Sequence, residues 1–487
     1  MDPMNLLVIM DDEHNRNMLG CYGHPMVKTP NLDRLADRGV RFTSAYTNSP
    51  ICVPARASLA TGRYVHEIGA WCNASPYDGR IPGWGHRLQE TGHPVLSIGK
   101  LHYRNETDAT GFDQQIVPMH AVDGGDIHGA VRDPLPVRYQ SRDYAEDIGE
   151  GVSSYVTYDE GIADHACRWL GDAGATADGK PWVLFVSFIS PHYPLRAPKR
   201  YLDLYPPEDI PMPKLREPDR TPDHPWWQAF DECYIIERYF KDDAQKRLAI
   251  ASYFGLCSFI DDNVGKLLAA LSDSGQDGNT RVLFTSDHGD NMGARRLWGK
   301  STMHEESAGI PLILSGPDLP KGQTVRTPVS LVDLYPTILR AVGEPATEQD
   351  SGLPGTSLFD VAAGAEDLDR PVFSEYHAAG AISGAFMLRR GQYKYVHYVG
   401  YRPELFDLEA DPEELHDLGD SPAHRAVIDD FERRLRAMVD PEETDRRAKA
   451  DQAAIIERHG GRDAVIEKGG YGATPPPGAE PEYQTTS

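Results

Sequence analysis

The densest run of chemically capable residues is Cys52-Val53-Pro54-Ala55-Arg56, continued by Ala57-Ser58-Leu59-Ala60-Thr61-Gly62-Arg63. A cysteine at a helix start sits where free N–H groups and the helix dipole favour an anion. Arg56, one turn on, faces the same way. In isolation such a cysteine reads as readily as a buried thiol, so its neighbours must decide. Two pairs stand out, Asp11-Asp12 and Asp287-His288. Carboxylate oxygens are hard donors that suit Ca²⁺, and an imidazole nitrogen admits a transition ion such as Mn²⁺. Either pair alone could be a polar strand end or a turn. Together, each following an apolar strand, they point to one divalent metal ion. Gly99-Lys100-Leu101-His102, Ser190-Pro191-His192 and Gly299-Lys300 add cations and imidazoles for anion binding and proton transfer.

Positioning these groups falls to the elements around them. Asn5-Leu6-Leu7-Val8-Ile9-Met10 is a continuous apolar run ending in acids, as a buried parallel strand would be. Similar runs begin at Val95, Trp182, Val282 and Ile310, with helical patterns over 29–35, 56–61 and 247–271 between them. Strands alternating with helices predict an α/β sheet covered on both faces. In such sheets ligands lie beyond the carboxyl ends of the strands. Asp11-Asp12, Lys100 with His102, His192 and Asp287-His288 all fall there. Near residue 370 the pattern changes to short strands around 372–373, 385–388, 393–398 and 404–407, with Arg390-Gly391 as a hairpin turn. A helix is expected from Pro422 to Met438, capped by Ser421 with proline at its first position. The resulting division is a catalytic α/β unit over 1–369, a small α+β unit over 370–440, and a helical segment with a Pro-rich tail over 441–487. The tail from Gly469 is expected to be irregular unless a partner surface orders it.

In these blocks the chain resembles the formylglycine-dependent sulfatases of the alkaline phosphatase superfamily. Lys28-Thr29-Pro30-Asn31-Leu32-Asp33-Arg34-Leu35, Ser286-Asp287-His288-Gly289 and Asp333-Leu334-Tyr335-Pro336-Thr337 extend the likeness over most of the chain. Within the family it is most similar to choline sulfatases and phosphonate monoester hydrolases. The resemblance implies a large mixed, mostly parallel sheet sandwiched by helices, with a smaller C-terminal α+β domain. It implies that Cys52 is oxidised to formylglycine by a maturation enzyme, and that the hydrate supplies the nucleophilic oxygen. Asp11, Asp12, Asp287, His288 and the converted Cys52 would hold the metal. Arg56 would hold the hydrate, Lys100 and Lys300 would meet the transferred oxygens, and Asn73 would bind one of them. His192, with Lys300 second, would protonate the leaving alcohol, and His102 would act as the base that releases sulfate.

The implied activity is hydrolysis of a small-molecule sulfate ester. The same parts would serve a phosphonate monoester or a phosphate diester, which are also singly charged tetrahedral anions. A non-catalytic binding protein with a vestigial site is a third reading, opposed by the filled charged positions. Trp71 and Tyr103 could form an aromatic cage but read better as packing. His14 and His304 are weaker pocket candidates, and Trp226-Trp227 could be a lid, an interface or core.

Composition narrows the field further. The 487 residues carry 49 Lys+Arg against 74 Asp+Glu, a formal charge of -25, so no nucleic-acid partner is expected, although a local basic pocket inside an acidic shell stays open. Six cysteines without a CxxC pair exclude a disulfide scaffold, a zinc ribbon and a thioredoxin-like motif, and they read, Cys52 aside, as buried free thiols. The first residues lack a positive n-region and a cleavage site. No run approaches the roughly 18 apolar residues of a membrane span. A cytoplasmic homo-oligomer, dimer or tetramer, is expected, with the tail lying across a neighbouring subunit near the mouth of the site.

Overall fold

Strict alternation of side chains along buried strands sets the architecture. In the computed structural model, which describes residues 2–122, 125–172, 179–217 and 223–484, the strands Asn5–Asp12, Val95–Lys100, Val183–Pro191 and Thr280–Ser286 are buried along their whole length. Leu7, Ile9, Ile98, Leu184, Val186 and Phe284 pack on one face of the sheet. There they meet the helices Ser154–Asp172 and Asp243–Asp273. Leu6, Val8, Met10, Phe185 and Leu283 pack on the other face, beneath the helices Cys52–Thr61, Trp84–Glu90 and Leu334–Ala341. Successive residues therefore serve opposite cores, the period-two rule of a strand covered on both sides.

The sheet has eight strands, in the spatial order Gln323–Val325, Gly39–Phe42, Leu312–Ser315, Thr280–Ser286, Asn5–Asp12, Val183–Pro191, Val95–Lys100 and Gln114–Met119. Leu312–Ser315 runs antiparallel to both its neighbours, and the remaining pairings are parallel. The mixed, mostly parallel sheet between helices agrees with expectation. Four strands that carry chemical groups at their carboxyl ends are immediate neighbours in its middle, and this places the groups together.

A second, four-stranded antiparallel sheet follows, ordered Val372–Tyr376, Ala385–Arg390, Tyr393–Tyr398, Glu404–Asp407. Gly391, with φ +59°, makes the tight turn that was expected there. Phe373, Phe386, Leu388 and Leu405 pack against Phe431 and Leu435 of the helix Arg425–Met438. The opposite face meets Trp226, Trp227 and Phe230, so the two tryptophans are core packing.

Several details differ from the sequence reading. The helix near 422 opens with a 3-10 turn over Pro422–His424, and the Ser421 hydroxyl makes no cap bond to the backbone. The long helix starts at Asp243, because Asp242 caps it by accepting from Gln245 N at 2.8 Å. Cys21 and Cys167 are partly exposed, while the other four free cysteines are buried. The tail is not irregular throughout. Gly470–Tyr471 pairs antiparallel with Tyr483–Gln484, and the final three residues lie outside the described ones. Among the described residues no helix is long and apolar enough to cross a membrane.

Candidate active site

Cys52 is the first residue of its helix, and every residue from Cys52 to Thr61 is buried. No side chain of the preceding Ile51 caps the helix. Val53 N instead donates to Asn73 Oδ1 at 3.4 Å. The positive end of the helix thus faces the pocket. Gly62 ends the helix in the left-handed region at φ +66°, and a Cβ there would lie 2.9 Å from Tyr335. The glycine of the Thr61-Gly62-Arg63 triplet is therefore set by backbone geometry and packing.

Around Cys52 Sγ stand His288 Nε2 at 3.2 Å, Lys300 Nζ at 3.3 Å and Asp12 Oδ1 at 3.5 Å. One donor atom from each of Asp12, Cys52, Asp287 and His288 lies within 4.8 Å of the others, and all four residues are buried. Two carboxylates, an imidazole and the position-52 side chain form a mixed oxygen and nitrogen set suited to one divalent ion. Burial, reinforced by Asp12, pushes the Cys52 thiol up to about 11. It stays protonated at neutral pH, and a thiolate nucleophile is disfavoured.

Asp11 departs from the expected ligand set. His14 Nδ1 holds its Oδ2 at 2.5 Å on the side of the long helix, while Oδ1 is buried without a hydrogen-bond partner. Asp11 is absent from the four-residue donor group. Its orphaned oxygen nonetheless marks unbalanced negative potential beside the site.

Arg56 binds both carboxylates. Its Nε donates to Asp287 Oδ2 at 2.8 Å and its Nη2 to Asp12 Oδ2 at 3.1 Å. Its Nη1 donates to Lys100 O at 2.8 Å and to Ser187 Oγ at 2.9 Å. Lys100 Nζ pairs with Asp12 Oδ2 at 2.7 Å. Although burial would raise it, Asp12 is held well below the usual carboxylate range by Lys100, His192, Lys300 and Arg56.

The other wall holds the proton-transfer groups. Lys300 Nζ donates to Glu13 Oε2 at 2.9 Å, and the same oxygen lies 3.3 Å from His192 Nε2. Burial would lower Lys300, but the neighbouring acidic groups Cys52, Glu13 and Asp12 hold it well above the usual lysine value. His192 Nδ1 is 2.6 Å from Tyr193 O, which fixes a proton on that nitrogen. The contact between Nε2 and the Glu13 carboxyl then requires one further proton, because both atoms are otherwise acceptors. Burial, then the Lys300 charge, lowers His192 well below the ordinary histidine value. Burial raises Glu13 well above the ordinary carboxyl value.

His102 lines the same pocket with φ +59°, a conformation that non-glycine residues rarely adopt. Burial, then Lys100 and Arg56, keeps its imidazole neutral. Asn73, Lys100, His192 and Lys300 also line the pocket, together with the rings of Tyr144, Tyr155, Tyr193, Tyr234, Trp298 and Tyr471.

Other candidates lie elsewhere. Trp71 donates from Nε1 to Asp451 Oδ2 at 2.7 Å and packs with Val65 and Ala448. Tyr103 packs edge-on against Tyr77. His304 stacks on Trp227. None of these lines the pocket, so packing accounts for Trp71 and Tyr103. Sequence reasoning missed Glu13 and Thr474. Glu13 directly follows Asp12, and its left-handed backbone (φ +70°) turns it toward Lys300. Nothing local marked Thr474.

Comparison with known proteins follows from this geometry. Residues 4–344 match the family model described as Sulfatase, and residues 293–440 match one described as N-sulphoglucosamine sulphohydrolase, C-terminal. A choline-sulfatase of Rhizobium meliloti is 31% identical over 460 residues, covering 92% of this chain and 89% of that protein. Arylsulfatase K of Danio rerio is 30% identical over 463 residues, covering 90% and 84%. The crystal structure of a phosphonate monoester hydrolase of Agrobacterium radiobacter superposes with a TM-score of 0.72 at 24% identity, covering 89% of this chain and 95% of that one, a likeness of fold.

Proposed function

Since this chain belongs to the sulfatase family and is a sulfuric ester hydrolase, we propose that Cys52 is its nucleophile precursor, matured to formylglycine, and that its substrate is a sulfate monoester of a small alcohol. The observation that carries this reading is the setting of Cys52. The residue sits at a helix N-terminus, its thiol held protonated, among Asp12, His288 and Lys300. Formylglycine, once made, supplies as its hydrate the oxygen that attacks sulfur. Asp12, Asp287, His288 and the position-52 side chain would hold a divalent ion, which would supply positive charge to the sulfate oxygens.

The chain's own groups do the rest. Arg56 locks Asp12 and Asp287 in place and offsets their charge. Lys100 and Lys300 line the pocket, and their buried charges would stabilise the transferred oxygens as these gather charge. The His192–Glu13 pair holds a proton for the leaving alcohol, and Lys300 adds a permanent charge there. His102, kept neutral, accepts the proton whose removal frees sulfate. The aromatic lining of the pocket and the choline-sulfatase likeness favour a compact alcohol with an apolar or cationic surface.

The test compares kcat/KM for a sulfate monoester, a phosphonate monoester and a phosphate diester sharing one aryl leaving group, with Cys52→Ala as control. The sulfate ester should lead and the control should be inactive. A phosphorus ester in the lead would reassign the same residues to a phosphonate hydrolase. The mass of the tryptic peptide Phe42–Arg56 reports whether the thiol has become an aldehyde.

A further inference from the structure

The C-terminal tail returns to the pocket of its own chain. After the helix Arg462–Lys468, residues Tyr471, Gly472, Ala473 and Thr474 line the pocket beside His102. The segment is fixed along its length. The Tyr193 hydroxyl donates to Gly472 O, and the Tyr155 hydroxyl donates to Thr474 O at 2.6 Å. Ala473 packs against the cluster of Met119, Tyr155 and Ile189. Gln484 Nε2 donates to Asp143 Oδ2 at 2.5 Å, closing the short hairpin onto the body.

One contact reaches the chemistry. Thr474 Oγ1 lies 2.9 Å from His102 Nε2, across 372 residues of sequence. The other ring nitrogen, Nδ1, is buried with no hydrogen-bond partner. A neutral imidazole carries one N–H, and the partner of one nitrogen decides what the other can do. A buried N–H without an acceptor costs more than a bare lone pair, so the proton belongs on Nε2, which donates to Thr474 Oγ1. Nδ1 is then left as a bare lone pair in the pocket wall. Backbone bonds hold the ring's base as well, with His102 N donating to Met119 O at 2.8 Å.

We propose that Thr474 is a positioning residue whose hydroxyl fixes His102 in the Nε2–H tautomer, leaving Nδ1 as the proton acceptor for sulfate release, so that the C-terminal tail completes the active site. This rests on the reading of His102 given above.

Two measurements test it. The first uses full-length Cys52→Ala protein labelled with ¹⁵N-histidine, with Cys52→Ala/His102→Asn to assign the signal. His102 should show a pyrrole-type Nε2 and a pyridine-type Nδ1. Thr474→Val should perturb that signature and Thr474→Ser should keep it. The opposite tautomer, or no response to Thr474→Val, overturns the proposal. The second uses the matured enzyme. Thr474→Val should lower steady-state kcat by about tenfold or more, the usual scale for losing a supporting hydrogen bond. First-turnover alcohol release should stay unchanged, and Thr474→Ser should restore turnover. Equal loss in the first and later turnovers would mean that Thr474 is only a wall, and would overturn it. If the matured enzyme hydrolyses no sulfate ester, the functional reading fails instead, and the spectroscopic result still decides the tautomer.

Discussion

Arg56→Met removes one buried cation and leaves two buried carboxylates facing each other. Arg56 is 2% exposed and makes four hydrogen bonds, two of them to Asp12 and Asp287, which are fully buried. At about 3 Å and an effective dielectric near 20, each ion pair is worth about 5 kcal/mol of Coulomb attraction before desolvation is subtracted. Breaking a buried pair from one side costs about 3–5 kcal/mol, because the remaining charge keeps its desolvation penalty. The orphaned Lys100 carbonyl and Ser187 hydroxyl add about 1 kcal/mol each, not additively. The expected loss in metal-free protein is therefore about 4 kcal/mol. Methionine keeps most of the volume, so a cavity contributes little. The assay is chemical denaturation in EDTA, followed by fluorescence and circular dichroism, for wild type, Arg56→Met, Asp287→Asn and the double variant. The cycle should give a coupling of about 2 kcal/mol or more between Arg56 and Asp287. Repeating the series with excess Mn²⁺ or Ca²⁺ should shrink the Arg56→Met deficit, since a divalent charge compensates the same two carboxylates. A loss under about 1 kcal/mol in EDTA, or zero coupling, would refute the reasoning.

Three further outcomes are expected. A divalent ion at about a hundred times its Kd should stabilise the protein by about 2.7 kcal/mol, and Asp12→Asn or His288→Ala should abolish that shift in thermal unfolding; an unchanged shift in both variants would place the ion elsewhere. Glu13→Gln should lower kcat by about a hundredfold for an alkyl sulfate and far less for an activated aryl sulfate, because only the poor leaving group needs the proton; equal losses would remove the Glu13–His192 pair from that role. Despite burial, His66 and His377 hold the Glu375 carboxyl down at about 2, against 4.5 for a free side chain. Its contribution, about 3 kcal/mol at full strength, is present above pH 4.5 and is lost as pH falls from there toward 2. Glu375→Gln should accordingly flatten acid unfolding in that window, and an unchanged acid limb in pH-dependent denaturation would contradict it.

Much of the fold is visible in the chain because its signals are local. Buried runs at Asn5, Val95, Val183 and Thr280 each end in polar residues, and the α/β alternation follows from the helices between them. The helix start at Cys52 and the hairpin at Gly391 were legible for the same reason. Strand register was not, since pairing joins residues hundreds of positions apart and no short pattern encodes which runs become neighbours. The order of the sheet was carried by family resemblance alone.

The site divides along the same line. Residue types at strand ends nominated Asp12, Lys100, His102, His192, Asp287 and His288, because carboxylates, amines and imidazoles there have few uses besides binding and proton transfer. What the sequence could not weigh was direction and distance. Adjacent acids looked equivalent, yet Asp12 pairs with Arg56 and Lys100 whereas Asp11 is held by His14. Glu13 looked like one more acid until a left-handed backbone brought it between Lys300 and His192. Thr474 looked like part of an irregular tail lying across a neighbouring subunit, and only chain folding over 372 residues set its hydroxyl against the chain's own His102. Composition and spacing determine which chemistry the chain can perform; the three-dimensional packing decides which atoms perform it, because orientation is a property of the packed whole.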